Sequence, residues 1–148
     1  MTAWTDLDSK SQDLSWSVLD HAVESLADGE PLIPFAVVLQ GPEQRLHRFV
    51  ADTLEEGLAH GRAFLAQLPE VEVAALAYDG YLTRDGERTD AVYVEVHRRG
   101  QQSSGCLAQR YIPGAPPELL GNASDCGDFA PLLGNVAPIR KKGLFGRR

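Results

Sequence analysis

The stretch from Ala77 to Val96, AYDGYLTRDGERTDAVYVEV, gathers Asp79, Tyr81, Tyr93 and Glu95, and His97 follows directly. Two carboxylates held near each other can divide acid and base roles when one stays protonated. An arginine can grip a carboxylate through two parallel hydrogen bonds, and tyrosines give broad contact at modest entropic cost. Tyr93, Glu95 and His97 alternate with Val92, Val94 and Val96, so on a strand they occupy the face that the valines leave. With Arg110 taken from the next strand, Tyr93, Glu95, His97 and Arg110 form the candidate ligand-binding set. A cross-strand pair of Glu95 with Arg110 accounts for the same residues without a ligand, and more economically.

No catalytic residue or metal ligand is assigned. His21, His47, His60 and His97 stand outside HExxH or any other compact ligand pattern, and neither cysteine has a second one at structural-zinc spacing. Asp125 and Asp128 flank Cys126, but NASDCGDF lacks the oxygen-ligand spacing of a calcium loop, and turn capping explains it. There is no phosphate-binding glycine loop, dinucleotide fingerprint or GxSxG elbow. No cofactor is implied.

The elements that would position these side chains follow from periodicity. Leu14, Val18, Leu19, Ala22, Val23, Leu26 and Ala27 recur at helical intervals, with Gly29 and Pro31 as the stop. Pro34 to Val50 reads as two strands about a turn at Gln40 to Gln44. A second helix begins at an Asp52 cap with Glu55 as its partner. Its stripe is Val50, Leu54, Leu58, Gly61, Leu65 and Leu68, with Gly57 beside it; the glycines let its axis approach a sheet closely. Three further strands are expected at Val71 to Leu82, Ala91 to Arg98 and Cys106 to Ile112. Beyond Pro113 the chain reads as loop, with one short turn near Glu118 to Leu120 and with Leu132, Leu133 and Val136 as anchors.

Register decides which side chains meet. A two-residue turn at Asp85-Gly86 sets Arg84 against Glu87, Tyr78 against Tyr93 and Leu76 against Glu95. A turn displaced by one residue moves Asp79 and Tyr81 opposite Tyr93 and Glu95, because the side-chain period is two.

The expected fold is α+β: one mainly antiparallel five-stranded sheet with helices on one face, in the order α-β-β-α-β-β-β. That order is similar to the element string of profilin, longin and roadblock domains, which serve binding and dimerisation. No motif is shared with them. Residues 1-12 read as a flexible arm, 13-139 as one domain and 140-148 as a basic tail.

Composition bounds the function. Of 148 residues, 21 are acidic and 14 are Lys or Arg, a net charge of -7. The last nine, RKKGLFGRR, hold five of the basic ones, so the body carries nine against 21. An acidic body repels phosphate backbones, which argues against nucleic acid as its partner. No apolar run has the length of a membrane span. A polar, acidic beginning without a secretory pattern, together with only two cysteines, makes reduced thiols and a cytoplasmic location the expectation. The functional expectation is a non-catalytic binding or protein-interaction domain, a homodimer or one with a protein partner. The alternative is a small enzyme or small-molecule binder working from the outer sheet face.

Overall fold

The computed structural model describes residues 4–68, 71–100, 104–129 and 133. A 3-10 turn at Trp4–Asp6 precedes helix α1 (Ser9–Ser25), strands β1 (Phe35–Gln40) and β2 (Glu43–Arg48), helix α2 (Leu54–Gln67), and strands β3 (Val73–Arg84), β4 (Glu87–Arg98), β5 (Ser104–Ile112) and β6 (Glu118–Phe129). All six strands join one antiparallel sheet in the order β2-β1-β3-β4-β5-β6.

Turn chemistry sets the hairpins. Gly41 takes a positive φ of 63° ahead of Pro42, so the β1–β2 connection needs only two residues and Gln40 pairs with Glu43. Asp85 and Gly86 both lie at positive φ, 53° and 79°, the requirement of a two-residue turn whose twist matches its strands. Arg84 therefore pairs with Glu87, Tyr78 with Tyr93 and Leu76 with Glu95. The first of the two expected registers is the one the chain adopts.

Val92, Val94 and Val96 are fully buried, together with Val73, Ala75 and Ala77, against Leu14, Val18, Leu19 and Ala22 of α1. The alternate residues Ala36, Val38, Ala74, Leu76 and Tyr78 pack instead with Leu65 of α2 and with Leu133. Successive side chains on a strand point to opposite faces. The helices consequently cover opposite faces of the sheet, which corrects the expectation that both share one. A strand buried on both sides reads as a continuous apolar run, and Val73 to Tyr78 is one.

The sixth strand corrects the expected count of five. ELLGNASDCGDF is rich in turn formers, and pairing with β5 imposes its extended form. Two irregularities absorb the mismatch. Between Ala108↔Ser124 and Arg110↔Leu120, Gln109 of β5 faces three residues of β6, with Gly121 at a φ of 69°. The buried Gln109 amide then donates to the carbonyl of Gly121 at 3.1 Å. Between Gly105↔Asp128 and Leu107↔Asp125, Cys106 faces two residues of β6. There it forms a disulfide with Cys126, the Cα atoms 5.4 Å apart. The expectation of reduced cysteines is thereby corrected: the two strands bring the thiols within bonding reach.

From Trp4 on, the segment expected to be a flexible arm joins the fold. Leu7 is buried, α1 starts at Ser9, and its inner stripe runs back through Ser15 and Ser11, both fully buried. These serines are small enough to face the sheet, yet in sequence they break an apolar period. Trp4 donates its indole N–H to Ser15 Oγ at 2.8 Å and meets Trp16 edge-on at 5.6 Å. The cap of α2 lies one residue later than expected. Thr53 Oγ1 accepts from the Glu56 amide at 3.1 Å, so the box is Thr53 with Glu56 and not Asp52 with Glu55.

Val50 and Leu54 are exposed, while Gly57, Gly61 and Leu65 form the buried part of the α2 stripe. A methyl group on Gly61 would lie 2.9 Å from Phe49 Cδ2 and 3.2 Å from Leu76 Cδ1. One on Gly57 would overlap the Phe49 carbonyl oxygen. The glycines bring α2 close to the sheet and to the segment leaving β2. None of the helices among the described residues is long and apolar enough to cross a membrane. Residues 140-148 lie outside the described residues, as do Leu132 and Val136; Leu133 is buried in the α2-side core.

Candidate functional site

Tyr93, Glu95, His97 and Arg110 do share one sheet face: Tyr93 stands opposite Ala108, Glu95 opposite Cys106, and Arg110 opposite Ala91. That face is not the open outer one, because α2 lies on it. Glu95 is 0% exposed and His97 1%. Arg62, projecting from α2, closes on the Glu95 carboxylate with both terminal nitrogens, Nη1 to Oε1 at 2.8 Å and Nη2 to Oε2 at 2.5 Å. His97 Nε2 lies 2.9 Å from Oε1, and the Tyr78 hydroxyl donates to Oε2. Tyr78 in turn stacks on Tyr93 with ring centroids 5.5 Å apart.

Two carboxylate oxygens offer about four lone-pair directions, and all are used. Burial by itself would raise the Glu95 carboxyl, but the hydrogen bonds from His97, Arg62 and Tyr78 outweigh it and lower the pKa to about 2. Burial and the adjacent Glu95 charge push the Tyr78 hydroxyl far above its ordinary range. Such a carboxylate stays ionised and saturated, with no accepting capacity left for a substrate proton. It is an internal anchor between α2 and the sheet.

Arg110 takes no part in it. Its Nε donates to Thr89 Oγ1 at 3.1 Å, and its Nη2 lies 3.5 Å from Glu87 Oε1. Arg110 pairs two dipeptide steps along β4 from Glu95, too far for the expected cross-strand contact. Arg62 was the missed partner. Its signal in the sequence is its position directly after Gly61, at the border of the buried stripe, on a helix able to approach the sheet closely.

Asp79 and Glu95 lie on opposite faces, since Asp79 pairs with Val92. Asp79 accepts instead from the Tyr111 hydroxyl at 2.8 Å. These two and Asp90 line a concavity of about 200 Å³ at the C-terminal end of α1, walled by Leu26, Pro31 and Pro113 and flanked by Glu30. Burial, followed by the nearby Asp90 charge, raises the Asp79 carboxyl above its usual range despite the Tyr111 bond. Tyr111 pairs directly with Asp90 across β4 and β5, and Asp79 is two residues before Tyr81, which pairs with Asp90 from the other side. This meeting of three strands is legible only once both registers are known.

Further shallow hollows run along α1 and the β1–β2 hairpin. Ser17, His21, Val37 and Leu46 line one, and Ile33, Phe35, Arg48 and Leu54 line another of about 530 Å³. Ile33, Leu46 and Leu54 are exposed large apolar side chains at these hollows, while the exposed Trp16 lies against Trp4. Among the described residues no group of three or more His, Cys, Asp or Glu is placed to hold a metal ion. Comparison with protein-family models, with curated proteins and with solved structures gives no match, so the geometry alone carries the functional reading.

Proposed function

We propose that this protein is a non-catalytic interaction domain, with self-association as one mode, and that it works from the side of the sheet bearing α1 and the β1–β2 hairpin. The carrying observation is the row of open hollows along α1 and the β1–β2 hairpin, where Leu46, Ile33 and Leu54 stay exposed. Shallow apolar surface of this kind suits a macromolecular partner, whereas enzymes gather convergent polar groups in an enclosed cavity. The acid and histidine best suited to chemistry, Glu95 and His97, are sealed and occupied with each other. A reading built on an outer face around Tyr93, Glu95, His97 and Arg110 loses its premise.

The partner is a protein rather than a nucleic acid, given the nine basic against 21 acidic residues of the body. The disulfide between Cys106 and Cys126 favours an oxidising compartment over the cytoplasm expected from sequence.

Sedimentation velocity over a wide range of concentrations tests the reading. Reversible self-association is expected, weakened by Leu46→Lys at the exposed centre of β2. A single monomeric species at every concentration would remove self-association. Turnover of any substrate that depends on Glu95 or His97 would overturn the non-catalytic assignment.

A further inference from the structure

Resting on that reading, we infer that the surface at the end of α1 docks a basic peptide segment of a partner protein. An Arg or Lys side chain enters the hollow of Asp79 and Asp90, and a neighbouring large apolar side chain lies against Ile33 and Leu54.

Four observations converge on this chemistry. The first is charge. Glu30, Asp79 and Asp90 line the hollow, no Lys, Arg or His does, and among the described residues none of the three carboxylates has an ion-pair partner. Some acids elsewhere in the fold are neutralised, Glu72 by Lys10 and Arg98, Asp8 by Arg98 and Glu95 by Arg62. An anionic ligand is excluded by sign.

The second is size and lining. About 200 Å³ is below the roughly 300–1,000 Å³ of ordinary small-molecule sites. Leu26, Pro31 and Pro113 provide an apolar wall for an aliphatic stem while the carboxylates meet its charged head. Among the described residues no group of three or more His, Cys, Asp or Glu is placed to hold a metal ion, whereas an Arg or Lys head suits the acidic lining.

The third is continuity. Glu30 and Pro31 also line the larger neighbouring hollow, where Ile33 and Leu54 are exposed. A cation site and an apolar site thus share a rim. A peptide carrying both kinds of side chain fills both, whereas a small amine fills only the first.

The fourth is the unfavourable placement of Asp79. Burial and Asp90 together disfavour its charged form, so at neutral pH it destabilises the free protein. A cation entering the hollow reverses that. Residues kept at a cost in stability are characteristic of binding surfaces.

The test is calorimetric titration of the full chain with the acetylated, amidated hexapeptide GRLFKG, with GELFEG and spermine as separate arms. GRLFKG is expected to bind saturably and more weakly as salt rises. Asp79→Asn with Asp90→Asn should weaken it by at least about tenfold, the scale of a lost charge pair in a partly desolvated site. Ile33→Ser, which removes apolar surface without adding charge, should weaken GRLFKG without affecting spermine. Both Asn substitutions keep side-chain shape, and they should raise the melting temperature of the free protein, whereas a merely structural role for these carboxylates would lower it. Absence of saturable GRLFKG binding, equal binding of GELFEG, indifference to the Asn substitutions, or spermine binding as tightly as the peptide would each overturn the inference. If GRLFKG fails to bind while self-association sensitive to Leu46→Lys persists, the basic-peptide site falls and the interaction domain stands. If both are absent, both fall.

Discussion

Replacing Glu95 with glutamine tests the internal anchor directly. The native carboxylate accepts from Arg62 through both oxygens, and from His97 and Tyr78. Glutamine presents one acceptor oxygen and one donating NH2, which confronts donors that then have no acceptor. The folded carboxyl titrates near 2 against an ordinary 4.5, and about 1.4 kcal/mol per unit gives roughly 3 kcal/mol. Removing one partner of a buried pair costs about 3–5 kcal/mol. The lower end applies here, because the Arg62 side chain is 33% exposed and regains water.

For a domain of this size roughly 3 kcal/mol lowers the melting temperature by about 6–12 °C. Urea unfolding at neutral pH measures the free energy, and a pH series adds a second reading. Because the folded pKa lies below the unfolded one, the wild-type contribution is complete above about 4.5 and is lost as pH falls toward 2. The variant should lack that acid limb. A Glu95→Gln loss under about 1 kcal/mol, the worth of an ordinary hydrogen bond, would refute the reasoning. So would an acid limb unchanged from wild type.

Other substitutions address the elements that position these residues. Gly57→Ala places a methyl on the Phe49 carbonyl oxygen, and despite the better helix propensity of alanine it should cost about 1–3 kcal/mol in chemical denaturation. Thr53→Ala removes the hydroxyl that receives the Glu56 amide and should cost about 1 kcal/mol by the same assay. Replacing Cys106 and Cys126 together by alanine opens a crosslink spanning 20 residues, with an expected loss of about 3 kcal/mol by loop entropy. Hydrogen exchange should then rise first in β6, the edge strand that the bridge ties to β5.

Several features were written locally and needed no tertiary context. Asp85-Gly86 can adopt positive φ at both central positions, and that fixed the β3–β4 register and set Val92, Val94 and Val96 on the face opposite Tyr93, Glu95 and His97. The period of Leu14, Val18, Leu19 and Ala22 located α1, and the glycines of α2 announced a close approach. What could not be read was which side of the sheet each helix would take. Alternation separates two faces but does not say whether the polar one is wet, and a face of Tyr78, Glu95 and His97 looks solvent-exposed until Arg62 arrives from α2 to satisfy it. β6 was hidden for a related reason. Its Gly, Asn, Ser and Asp residues favour turns when considered alone, and only hydrogen bonding to β5 and the Cys106–Cys126 bridge hold them extended. Local conformational preference and side-chain period decided the two helices, strands β1 to β5 and the register of the two tight hairpins, while contacts between residues distant in sequence decided β6, burial, charge pairing and the hollow shared by Asp79, Asp90 and Tyr111.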